Sequence, residues 1–239
     1  MKKVLKIMGI ITAVLFIVIL LGFWYLYSHG MSGMASTSTA KDGQIKVACV
    51  GDSTTYGHGT TSWPKNTYPA TLQALLGDAY HVNNYGVSSQ CVQTTGDRSY
   101  RDLPHYQESL EYDADIVVFM MGSNDSKPIN WRGADAFRAD LESLLDTYSD
   151  AEIYLCTLPS AFFLEGQTEG VTNHNIQPLV TDEIAEVTRQ VAADRGYTLI
   201  DIHALTAQHP EWFAADGVHP SNDGAAGMAQ EIYAVLTQQ

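Results

Sequence analysis

Apolar residues recur along this chain in two rhythms. Short, nearly unbroken runs predict five strands, at Ile45–Val50, His81–Asn84, Asp115–Met121, Ile153–Leu158 and Thr198–Ile202. Between them apolar positions return every three or four residues, predicting helices over Thr67–Leu76, Ala134–Tyr148, Asn175–Arg195 and Ser221–Leu236. Thr67 and Ser221 are suited to cap their helices, and Gly77 and Gly196 to end theirs. The run Asp115–Met121 is apolar on both faces, as a strand inside a parallel sheet should be. Strands alternating with helices over short connections imply right-handed crossovers and a parallel sheet covered on both sides.

Before the first strand the pattern changes. Residues 7–27 carry no charge and no proline, and at 1.5 Å per residue they would span about 32 Å, close to a bilayer's hydrocarbon core. Lys2, Lys3 and Lys6 precede the run, which places the N-terminus in the cytoplasm by the positive-inside rule. The run exceeds the usual apolar stretch of a signal peptide, so an uncleaved anchor is the expectation, with cleavage near Gly33–Ala35 as the alternative. The expected organisation is therefore a cytoplasmic stub and membrane anchor over residues 1–27, a flexible tether over residues 28–44, and one exported domain over residues 45–239. Without the three leading lysines, the rest of the chain holds 10 basic residues against all 27 acids. So acidic a domain is a poor partner for nucleic acid. Cys49, Cys91 and Cys156 do not make a disulfide scaffold; Cys49 and Cys156 lie in strand-like runs and read as buried thiols.

In a parallel sheet of this kind, sites form beyond the carboxyl ends of the strands. After the first strand comes Gly51-Asp-Ser-Thr-Thr-Tyr-Gly57, and after the second Asn84-Tyr-Gly-Val-Ser88. The third is followed by Gly122-Ser-Asn-Asp125, and the fifth, at more distance, by Asp216-Gly-Val-His-Pro220. A serine hydroxyl becomes a useful nucleophile when a base takes its proton. His219 is placed to be that base for Ser53, and Asp216 can orient its ring. The N–H groups of Ser53 and Gly86 and the amide of Asn124 are the expected oxyanion donors. His58 and His203 also lie near strand ends, and they read as neighbours rather than bases. The remaining histidines show no metal-ligand spacing.

These four blocks, in this order, resemble those of the SGNH (GDSL-like) hydrolase superfamily. The resemblance covers about residues 45–236. It implies a flavodoxin-like three-layer α/β/α sandwich on a five-stranded parallel sheet. It also implies a triad of Ser53, His219 and Asp216, an oxyanion hole of Ser53, Gly86 and Asn124, and neither metal nor cofactor. Thr54 stands where the family name has leucine, and the block looks more like the carbohydrate-esterase branch than the lipase branch. The expected activity is hydrolysis of short esters, O-acetyl on carbohydrate foremost. An O-acetyltransferase, a lysophospholipase or thioesterase, and a non-catalytic glycan binder are the alternatives. Tyr56, Trp63, Trp131 and Phe163 are candidate substrate-binding aromatics, and residues 159–174 a candidate substrate wall. Arg98 and Arg101 are candidates for holding a substrate carboxylate.

Overall fold

A computed structural model describes Thr12, residues 14–22 and residues 34–238. Much of the expected anchor lies outside these residues. Thr12 and residues 14–22 are helical, and no helix among the described residues is long and apolar enough to cross a membrane.

Strands β1 (Ile45–Gly51), β2 (Tyr80–Gly86), β3 (Ile116–Met120), β4 (Glu152–Cys156) and β5 (Thr198–Ile200) make one sheet in the order β2-β1-β3-β4-β5. Every pairing is parallel. Successive side chains alternate between two apolar clusters. Ala48, Val50, Val117, Phe119 and Leu155 pack with Tyr106 of α3 (Pro104–Glu111), Phe137 and Leu141 of α4 (Ala134–Leu145), and Ile184 and Val191 of α5 (Pro178–Arg195). Val47, Cys49, Val118, Met120 and Tyr154 pack instead with Tyr68 and Leu72 of α2 (Tyr68–Leu76) and with Met228 and Ile232 of α7 (Asn222–Leu236). The result is the expected three-layer sandwich. Burying one large apolar side chain contributes ~1.5–3 kcal/mol, so two such clusters hold the layers without disulfides. The three cysteines are buried free thiols, and burial pushes Cys49 up to about 12.

Local signals explain most boundaries. Thr67 Oγ1 accepts from Ala70 N at 3.3 Å to cap α2, and Ser221 caps α7. Helix α5 starts at Pro178 rather than Asn175, because Asn175 has a left-handed backbone (φ +60°) and Pro178 fits the first helical turn. Three short helices escaped the periodicity reading: α1 (Ser53–Tyr56), α3, and α6 (Ile202–Ala207), the last capped by Asp201.

The expected tether departs from expectation where it is described. Residues 34–44 lie along β2, starting with a Met34–Val87 bridge. Ala35 is buried and its carbonyl accepts from His105 Nε2 at 2.7 Å. Asn83 accepts from Ser38 N at 3.0 Å and donates to Ser38 O at 2.8 Å. Gln44 Nε2 donates to the carbonyls of Asp78 and Tyr80. Side-chain amides thus pair a segment whose Gly/Ser/Thr composition alone predicted free coil.

Candidate active site

The register sets the site. Gly51 pairs with both Gly86 and Met120, so β1, β2 and β3 end level with one another. The residues that follow them meet on one rim. Immediately after β1, Asp52 caps the four-residue helix α1, its Oδ1 accepting from Thr54 N at 3.0 Å. This puts Ser53 at the first position of α1, pointing at the loop before α7. His219 Nε2 lies 3.1 Å from Ser53 Oγ, and His219 Nδ1 lies 2.6 Å from Asp216 Oδ2. Asp216 Oδ1 accepts from the backbone N–H groups of Val218 and His219 at 2.9 and 3.0 Å. Burial alone would raise the Asp216 carboxyl. The His219 side chain and these two N–H groups outweigh burial and hold it well below the usual carboxylate range.

The line opens into a small cleft of about 190 Å³. Most of the residues around it are of polar type, Ser88, Ser89, Ser123 and Asn124 on one side and His174 and Asn175 on the other, with Ile176 and Val218 as its aliphatic residues. Asn124 Nδ2 donates to Gln90 O at 3.1 Å, which leaves its second amide hydrogen for the cleft. Beneath the floor, Asp125 is fully buried and accepts from Val92 N and Gln93 N at 2.9 and 2.8 Å. Burial raises Asp125 to about 7, against the pull of those two N–H donors. Burial likewise raises Asp52.

The sequence profile of the GDSL-like lipase/acylhydrolase family matches residues 49–226. The chain belongs to that family. An acetylxylan esterase from Xylanibacter ruminicola is 33% identical over 242 residues, covering 90% of this chain and 49% of that protein. The chain thus spans about half the length of this relative. Among solved structures, the lipase/acylhydrolase from Enterococcus faecalis superposes with a TM-score of 0.67 at 22% identity, covering 81% of this chain and 95% of that one. A carbohydrate acetylesterase from Sinorhizobium meliloti gives a TM-score of 0.64 at 16% identity, covering 81% and 98%. At these identities the two structures show the shared fold.

Within this GDSL-like frame several expected residues sit elsewhere. Gly86 does not offer its N–H to the cleft, because Asn84 Oδ1 takes it at 2.8 Å. Gly86 packs against α1 so closely that a Cβ there would collide with the backbone of Thr55 and Tyr56. The residue of this loop that lines the cleft is Ser89, with φ +70°. Its N–H makes no hydrogen bond among the described residues. The signal was present in the sequence as the serine pair Ser88–Ser89 that ends and follows the Gly86 block, but glycine was read as the close-approach residue. The close approach is real; it is made to α1.

None of the four candidate aromatics lines the cleft. Tyr56 is buried, with its ring 5.1 Å from that of Trp63, and Trp63 Nε1 donates to Tyr56 O. Trp63 borders a separate groove beside Ala35 and Ser38. Trp131 packs on Phe137, and Phe163 lies on the expected wall without reaching the cleft. Arg98 is exposed and Arg101 binds Ser143 Oγ, whereas the lysine bordering the cleft is Lys127. His58 stands beside the line, its ring 4.4 Å from that of His219, and burial lowers its basicity, with His219 and His174 adding to the effect. His203 lies apart, bonded to Asp182. His174 was not singled out by sequence; its Nε2 is 3.3 Å from Asp216 Oδ2.

Proposed function

We propose that the chain is a serine esterase that hydrolyses short-chain esters, O-acetyl foremost, on carbohydrate. Ser53 is the nucleophile, His219 the general base and acid, and Asp216 the carboxylate that orients His219. The observation that carries the reading is the hydrogen-bonded line from Ser53 through His219 to Asp216, ending in a cleft. As Ser53 Oγ attacks the ester carbonyl, its proton passes to His219 Nε2. Asp216 keeps the proton on Nδ1 and stabilises the imidazolium. The charge that builds on the carbonyl oxygen meets Ser53 N–H, the Asn124 amide and, in place of Gly86, Ser89 N–H. Collapse expels the sugar hydroxyl, protonated by His219. Water then attacks the acyl-enzyme by the same route and releases the acid.

The small size of the cleft suits an acetyl group better than a long acyl chain, which would need a longer trough. Carbohydrate as the alcohol component rests on the likeness to the acetylxylan esterase. The deciding experiment measures acetate release from acetylated polysaccharides by wild type and Ser53→Ala. Ser53→Ala is expected to lose at least ~10³-fold in turnover with its Tm unchanged. Retained activity in the variant would sink the assignment, and acetyl transfer to an added sugar in place of release would make the protein a transferase.

The proposal extends to location. The uncharged run over residues 7–27, behind three lysines, supports an uncleaved anchor with the domain outside the cell. Extraction of the full-length chain by alkaline carbonate alone would overturn the anchor.

A further inference from the structure

We propose that the cleft mouth is also a metal-binding control site, in which His174 Nε2, Asp216 Oδ2 and His219 Nδ1 take a transition-metal cation of the zinc class and thereby stop the acid–base line. Each of the three residues offers a ligand atom within 4.8 Å of the other two, and Asp216 Oδ2 lies 3.3 Å from His174 Nε2 and 2.6 Å from His219 Nδ1. Two imidazoles and one carboxylate form a donor set for zinc and its borderline neighbours; magnesium and calcium prefer an all-oxygen set. His174 is about half exposed, which gives an entry path and leaves a fourth position open to water.

The backbone supplies an independent sign that His174 is held where it is. His174 and Asn175 both have left-handed φ angles, +58° and +60°, and neither is glycine. Such conformations persist only where their surroundings over-determine them, and they concentrate at ligand clamps and sites. Here the ties are Thr172 N to Ile176 O at 2.7 Å and Asn173 Nδ2 to Asp216 O at 3.1 Å. The second bond locks the strained turn to the very residue that would bind the metal. His58 flanks the cluster, its ring centroid 4.4 Å from that of His219 and 6.3 Å from that of His174, but it is not one of the three residues whose ligand atoms converge.

Ligand atoms at ~2.0–2.2 Å from zinc stand roughly 3–3.5 Å apart. The His174–Asp216 contact already fits this at 3.3 Å, and the Asp216–His219 contact must open from 2.6 Å by about half an ångström. Binding at Nδ1 displaces the proton that His219 shares with Asp216. The neutral ring then carries its single proton on Nε2, with no net gain or loss. Nε2 becomes a donor facing Ser53 Oγ and can no longer accept the serine proton. Inhibition follows from the change of tautomer alone, and that consequence rests on the esterase reading; the binding does not.

The test separates the two. Zinc chloride is added to the full chain in a non-chelating buffer. Hydrolysis of p-nitrophenyl acetate is followed for wild type, and zinc retention is measured by equilibrium dialysis for wild type, Ser53→Ala, His174→Ala and His58→Ala. The expected result is one zinc per chain in wild type and Ser53→Ala, with inhibition reversed by EDTA. His174→Ala is expected to weaken retention at least tenfold and His58→Ala less than threefold. Magnesium and calcium at the same concentration should leave hydrolysis intact. Absence of zinc retention, or retention that His174→Ala leaves unchanged (zinc then sitting on another histidine), would overturn the proposal. If no ester is turned over yet Ser53→Ala retains zinc through His174, the esterase reading falls and the metal site stands.

Discussion

The two sides of the cleft are built in contrasting ways. One side grows straight out of the central strands: Ser53 follows β1 by one linking residue, Asn124 follows β3 through Gly122, and both are buried. Its geometry is set by sheet register and by a capped helix, so it has little freedom. The other side, residues 157–177, contains no regular element beyond a single tight turn at Asn173–Asn175. It is held by individual hydrogen bonds and carries two left-handed residues. Rigid strands fix the proposed nucleophile and the donors beside it, while a loop fixes what touches the far end of the acid–base line. Changes on the first side should act on the chemical step, and changes on the second on binding and control.

The largest expected effect that tests this contrast comes from Asn124→Ala. Losing this proposed oxyanion donor should lower kcat by ~10²–10³ with little change in KM; an effect confined to KM would mean that Asn124 lies outside the reaction.

Asp125 probes the floor beneath. Its folded-state carboxyl is raised from the ordinary value of 3.8 to about 7 by burial. Between these values the folded state binds more protons than the unfolded state, so this group's contribution to stability falls as pH rises from about 4 to about 7, then levels off. Asp125→Asn turns an amide N–H toward a backbone N–H and should cost ~1–3 kcal/mol at pH 5. The deficit should shrink toward pH 8, where wild type bears the burial of a charge. Denaturant titrations at both values check this, and a constant deficit would contradict a raised carboxyl.

The smallest effect belongs to the loop side. Asn173→Ala removes one hydrogen bond to Asp216 O, worth ~0.5–1.5 kcal/mol. KM for a polysaccharide ester should rise by roughly 3–10-fold, and amide exchange should quicken across residues 159–177. Equal protection in the variant would show that the loop is held by something else.

The same contrast explains what the sequence made legible. The five strands and four long helices were visible because their apolar periodicities are set by burial on the sheet. Ser53, Asn124, Asp216 and His219 were visible as candidates because each sits at a fixed distance from such an element. Gly86 was read as facing the cleft and Ser89 was passed over, because two different demands, close packing and cleft lining, fall on one short loop. His174 was invisible because nothing local in the sequence announces a contact with Asp216 across 42 positions. The aromatics were misread for a related reason. Tyr56 and Trp63 occur near a strand end yet pack against each other, and only the folded chain shows which way a ring turns.

The segment paired along β2 also gives the domain a direction. It begins with Met34 beside Val87, at the rim that bears the cleft, and ends with Gln44 beside Asp78 and Tyr80, at the opposite end of the sheet. A chain arriving from residue 27 therefore joins the domain at its cleft-bearing end, and the seven steps from residue 27 to Met34 reach at most about 25 Å. An anchor in that position would leash the enzyme mouth-first to the membrane. Acetylated glycan lying against the cell's own surface would be within reach, and polymer free in the medium would have to come to it. Selection by address would then act before any contact in the cleft.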